Sequence, residues 1–134
     1  MSGLVLKLAP KERVLINGAV IENGDRRTRV AILTPNANIL RLKDALHPDE
    51  AKTPVRRVCY IAQLVLSGDV PPEDAQPQLL SGIEQLSQVL LDGDSRETLS
   101  DASNSVMAER YYQALKSLRL LIPREDRLLM GGEP

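Results

Sequence analysis

Apolar residues change their spacing between residues 43 and 54, and that change limits the chain to strands first and helices after. Before it, apolar and polar residues alternate over short runs. Leu4, Leu6 and Leu8 share one face of a strand, and residues 13–16 and 19–21 flank Asn17-Gly18. That dipeptide fits a two-residue type I′ turn, with positive φ at both central positions, or a bulge in one longer strand. Asn23-Gly24 starts a second reversal, residues 28–33 make the next strand, and Pro35-Asn36-Ala37-Asn38 turns the chain into 39–43. The spacing predicts about five short antiparallel strands.

After the change the period is helical. Thr53-Pro54 supplies an N-cap and a first-turn proline, and Gly68 supplies a stop. Val55, Val58, Cys59, Ala62, Val65 and Leu66 form the stripe between them. Pro71-Pro72-Glu73-Asp74 opens a second helix with the stripe Leu79, Ile83, Leu86 and Leu90, and Pro77 puts its regular part at 77 or beyond. Asp92-Gly93-Asp94-Ser95 is a break, followed by a short third helix from about Arg96. A fourth covers about 106–121, with Met107, Tyr111, Leu115 and Leu118 on one side and Pro123 as its end. The tail from Met130 should fray. The predicted fold is α+β: a small N-terminal antiparallel sheet or meander, then a bundle of three to four helices. It forms one domain over 1–134, with a β portion over 1–47 and a helical portion over 53–123.

The core must be aliphatic, because the chain has no Phe, no Trp and only Tyr60, Tyr111 and Tyr112. The uncharged apolar run at 58–66 is too short to cross a bilayer. The first seven residues lack an export-signal pattern, and a single cysteine, Cys59, suits a reducing compartment. The expectation is a cytoplasmic protein with no membrane contact.

Charge is divided as sharply as period. Residues 1–57 hold eleven Lys/Arg against six Asp/Glu, a net of +5; residues 58–134 hold six against twelve, a net of −6. The basic set is Arg13, Arg26, Arg27, Arg29, Arg41, Lys43, Arg56 and Arg57. Clustered cations of this kind suit a nucleic-acid surface, and solvated charge that blunts strand edges is the plain alternative. RNA-binding sheets commonly stack bases on Phe and Tyr, which residues 1–57 lack. RNA contacts would therefore fall to guanidinium forks on phosphates, guanidinium planes on bases, and backbone groups. Arg26, Arg27 and Arg29, beside a tight turn, would form a compact prong. Arg41 with Arg56-Arg57 on the same side would widen it into a groove.

Catalysis has little to work with. His47 stands alone beside Pro48, and Cys59 lies on an apolar helix stripe where a thiol is inert. No Cys/His spacing makes a zinc site, and neither Asn-Gly pair has the glycine spacing of a phosphate loop. The reading is a non-enzyme without cofactor.

An ordered set of residues carries a resemblance. Glu12-Arg13-Val14, Ile16-Asn17-Gly18-Ala19-Val20-Ile21 and Asn23-Gly24-Asp25-Arg26-Arg27 come first. Ile39-Leu40-Arg41, Lys43-Asp44, Thr53-Pro54 with Arg56-Arg57 and Tyr60, and Tyr111-Tyr112-Gln113-Ala114-Leu115-Lys116 follow. Together they resemble the flagellum biosynthesis repressor FlbT family over residues 4–122. The resemblance implies a post-transcriptional repressor that binds flagellin messenger RNA in its 5′ untranslated region, with no catalytic residues. It also implies a FlaF-like protein as a partner in flagellin control. A rival reading from the residues is a protein-interaction module whose helices bind flagellin or the FlaF-like partner, acting on the messenger indirectly. Open strand edges also leave room for a homodimer.

Overall fold

The computed structural model describes residues 4–35 and 37–131. The strands-then-helices order holds. Five strands come first: β1 (Leu4–Leu8), β2 (Arg13–Ile16), β3 (Ala19–Glu22), β4 (Thr28–Ile32) and β5 (Ile39–Arg41). Five helices follow: α1 (Pro54–Leu66), α2 (Pro72–Ser87), α3 (Gly93–Met107), α4 (Tyr111–Arg119) and α5 (Ile122–Gly131).

All strand pairings are antiparallel, but they are not simply sequential. β1 pairs with β4, and β2 lies between β3 and β5 in a second sheet. Asn17-Gly18 is a true hairpin turn. Ile16 faces Ala19, and both central residues have positive φ (48° and 88°), as a type I′ turn requires. The Asn17 side chain also accepts the Asn38 N–H at 2.9 Å, tying this turn to the start of β5. Lys43 lies in a short 3₁₀ turn over Leu42–Asp44 instead of on the last strand.

α1 follows its sequence signals at both ends. The Thr53 hydroxyl accepts the Arg56 N–H, and Gly68 (φ 85°) closes the helix. There the Asp69 N–H reaches the Leu64 carbonyl and the Gly68 N–H reaches Val65, which satisfies the last free carbonyls of the helix.

Several helix boundaries differ from expectation. α2 starts at Pro72 and carries an exposed Pro77 inside it. Fully buried Ala75 and Leu79 lie on either side of that proline on one stripe, and their burial outweighs one lost hydrogen bond. α3 is long, not short. Its buried stripe is Ser95, Leu99, Ala102 and Val106, half of it small residues that a search for large apolar side chains passes over. The helix expected across 106–121 is two: α3 ends at Met107, Glu109 takes φ 61°, and α4 begins at Tyr111. Met107 is accordingly exposed. Pro123 does not end a helix; it is the second residue of α5, where a proline lacks no needed hydrogen bond. Met130 and Gly131 fall within α5, and the rest of the tail lies outside the described residues.

The core runs from Leu6, Leu8, Val14, Ile39 and Leu40 of the strands into the inward faces of the helices. Tyr111 and Tyr112 are its only aromatic members among the described residues. Cys59 is fully buried, and desolvation pushes its thiol up to about 12, so it stays an inert thiol. Two polar links join the segment after β5 to the helices. The Gln63 amide both donates to the Leu46 carbonyl and accepts the Leu46 N–H, at 2.9 and 2.7 Å. Arg119 donates to the Asp44 carbonyl at 3.0 Å.

α1 and α2 cross closely at Gly82, where an added Cβ would stand 2.7 Å from Val58 Cγ2. Val58 is buried and β-branched, so it has little freedom to yield. Gly82→Ala gains about 1 kcal/mol of helix preference and loses about 1–3 kcal/mol to overpacking. The expected outcome is a lower midpoint in urea unfolding; a raised midpoint would contradict this crossing.

Candidate nucleic-acid interface

The geometry of the basic set begins with an acid. Glu12, in the link between β1 and β2, is almost wholly buried. Its Oε1 accepts the Ala9 N–H at 2.9 Å, and its Oε2 stands 3.1 Å from Arg41 Nε. That contact is an ion pair without the alignment of a good hydrogen bond. Arg41 also donates to the Lys7 carbonyl, so one guanidinium bridges β5, the Glu12 link and β1.

Asn23 fixes the other side of the same corner. Its N–H donates to the Glu12 carbonyl at 2.8 Å, and its side-chain amide donates to the carbonyls of Ala9 and Arg26, each at 2.8 Å. The Lys11 N–H reaches the Gly24 carbonyl at 2.8 Å, and the Thr28 hydroxyl reaches the Arg26 carbonyl at 3.1 Å. The segment bearing Arg26 and Arg27 is therefore held by its backbone. Neither Asn23 nor Gly24 takes a positive φ at this reversal. The Asn23 side chain shapes the bend, so no left-handed backbone is needed there.

The eight cations separate into two groups. Arg13 pairs with Glu22 across β2 and β3, its Nε 2.9 Å from the carboxylate. Arg41 is committed to Glu12, and Lys43 lies 3.9 Å from the same carboxylate. Arg56 forms a two-pronged pair with Asp126 of α5, at 2.7 and 3.1 Å. That hydrogen-bonded pairing holds the Asp126 carboxyl below its ordinary range and raises the Arg56 guanidinium. Arg57 donates to the Lys52 carbonyl at 2.9 Å. Among the described residues, the side chains of Arg26, Arg27 and Arg29 have neither an ion pair nor a hydrogen bond, and all three are exposed.

Local charge balance sharpens this. Glu12, Glu22 and Asp25 are the acids of residues 4–29, and each has its own cation: Arg41, Arg13 and Lys11. The positive excess at the Arg26–Arg29 corner is left uncompensated. Lys7 lies directly opposite Arg29 in the ladder, a neighbour that sequence reading missed because it depends on the β1–β4 register. The groove imagined from Arg41 and Arg56 does not form from free charges, since both are engaged inside the molecule.

The interface offers charge without rings. Tyr111 and Tyr112 are buried, and burial pushes both phenols up. A cleft of about 330 Å³ lies between the strand ends and the start of α4, and a groove of about 600 Å³ runs between α1 and α2. The arginine corner lines neither. Among the described residues, no group of three His, Cys, Asp or Glu side chains is placed to hold a metal, and no helix is long and apolar enough to cross a membrane. This corner can engage extended anions over an open surface.

Comparison with known proteins gives the context. Residues 4–129 match the family model described as "Flagellar protein FlbT". The chain is 34% identical over 126 residues to the flagellum biosynthesis repressor protein FlbT of Caulobacter vibrioides, covering 94% of this chain and 89% of that one. It is 38% identical over 127 residues to the probable flagellum biosynthesis repressor protein FlbT of Rhodopseudomonas palustris, covering 94% and 97%. No solved structure matches.

Separating structural from free cations predicts opposite costs. Arg41→Ala leaves the buried Glu12 carboxylate with only Lys43 nearby and should lower unfolding free energy by about 1–3 kcal/mol. Arg26→Ala, Arg27→Ala and Arg29→Ala combined should leave the melting temperature near wild type, as exposed, unpaired side chains do. Calorimetry on both variants checks the division; equal losses would contradict it.

Proposed function

The chain belongs to the FlbT family, and from that premise we propose that it represses flagellum biosynthesis by binding flagellin messenger RNA in its 5′ untranslated region. The observation that carries this reading is the pinned, uncompensated arginine corner at Arg26, Arg27 and Arg29. A backbone fixed before binding loses little freedom when phosphates arrive, and guanidinium forks match phosphate oxygens. The role is regulatory, not catalytic, and needs no cofactor. Of the eight cations in the basic set, the three free arginines make the primary contacts. Arg57 and Lys43 add peripheral charge, and Arg13, Arg41 and Arg56 support the fold.

One observation favours a second reading. The groove between α1 and α2 is lined by Val58, Ile61, Leu86 and a largely exposed Val89, with Arg57 among its lining residues. An apolar helix of flagellin or of a FlaF-like partner would suit it, with regulation of the messenger then indirect.

Salt separates the two. Titration of the protein with a flagellin leader RNA, beside a scrambled RNA, should show affinity falling steeply as salt rises. The triple alanine variant should bind more weakly and lose about one unit of log–log salt slope for each phosphate contact removed. A folded triple variant with wild-type affinity and slope would remove this corner from the mechanism.

A further inference from the structure

Lys7 and Arg29 stand directly opposite one another on the β1–β4 ribbon. Directly paired residues project from the same face, with Cβ atoms about 5 Å apart. Both side chains are exposed, and among the described residues neither has an acidic partner. Like charges at this spacing destabilise a ribbon. The nearest acids in sequence, Glu12 and Asp25, are already matched by Arg41 and Lys11. The rest of the outward face is Val5 and Ala31, both exposed, so nothing bulky blocks approach. The strand beneath Lys7 is held from β5, because Arg41 donates to the Lys7 carbonyl. Two residues before Arg29 the ribbon runs into Arg27 and Arg26.

We propose that Lys7 and Arg29 form a phosphate clamp, in which one backbone phosphate of the bound RNA bridges the two cations and relieves their repulsion. This rests on the RNA-binding reading and adds a residue and a geometry to it. The ribbon then sets the register: one phosphate sits between Lys7 and Arg29, and Arg27 and Arg26 reach its neighbours along the same strand of RNA. Edge-blunting by a solvated lysine, the plain role for such a residue, predicts no coupling between Lys7 and any anion.

The clamp makes stability and binding move in opposite directions. Lys7→Glu replaces the repulsive pair with an attractive one. It should raise the melting temperature by about 1–5 °C, while weakening leader RNA binding about tenfold or more. Lys7→Arg should keep binding within about threefold, since it keeps both charge and donors. Inorganic tripolyphosphate should raise the melting temperature of the wild type above an ionic-strength-matched chloride control, and should not do so for Lys7→Glu. Loss of RNA binding in the wild type, with the tripolyphosphate effect intact, would overturn the RNA reading and leave an anion clamp. Lys7→Glu that binds RNA like wild type, or is stabilised by tripolyphosphate equally, would overturn the clamp itself.

Discussion

The pair of buried Glu12 and half-buried Arg41 is the constraint on which the β portion depends. Two small sheets of short strands cannot hold each other by apolar area alone in a chain without Phe or Trp. Glu12 supplies a fixed point between them. Its carboxylate holds the Ala9 N–H and faces Arg41, while Arg41 reaches back to the Lys7 carbonyl. Removing Arg41 would leave the buried Glu12 carboxylate facing only Lys43 at 3.9 Å, and such pairs are costly to break even where they are not strongly stabilising to make. Asn23 then extends this fixed point to the arginine corner, so a structural acid and a structural amide together position the free cations.

The helical portion uses the same device once more. Glu125 of α5 accepts the Val55 N–H at 2.8 Å, occupying a free donor at the start of α1, and Asp126 grips Arg56 beside it. A carboxylate there is also favoured by the dipole of α1. The unfavourable placement of Arg56 near a helix N-terminus is thus resolved within the molecule. Opposite net charges of the two halves partly reflect links such as Arg56 with Asp126, whereas Arg119 with Asp44 joins the halves in the opposite sense. The surplus that remains on the β side is local, not spread over the half.

Much of the fold was legible because it rests on short-range signals. Thr53, Pro54 and Gly68 bounded α1, and Asn17-Gly18 marked a hairpin, each by local backbone chemistry. The signals that failed were those decided by packing. Pro77 is tolerated because its neighbours on the stripe are buried, and α3 is held by Ser95 and Ala102, whose small size reads as weak periodicity. Pro123 has two valid helix positions, the stop and the first turn, and only the location of Glu125 against α1 decides between them. In the candidate site, a list of cations could be read from the chain, but their division could not. Arg41 and Arg26 look alike in sequence; what separates them is a buried carboxylate far off in the sequence, Glu12, in one case and open solvent in the other. Lys7 was invisible for the complementary reason, since its significance comes from a register between distant strands.

What emerges is a corner of free charge, Arg26, Arg27 and Arg29 with Lys7 opposite, on a β portion whose Lys11, Arg13 and Arg41 are already paired. The proposed contact is spatial: RNA would meet the outer face of β1–β4 and the Arg26–Arg29 corner, not the helices. Amide chemical-shift mapping of the full chain with a flagellin leader RNA tests it directly. The expected result is perturbations concentrated at residues 5–7 and 25–31, with α1 and α2 quiet. Perturbations concentrated along the groove between α1 and α2, with the arginine corner unmoved, would contradict it.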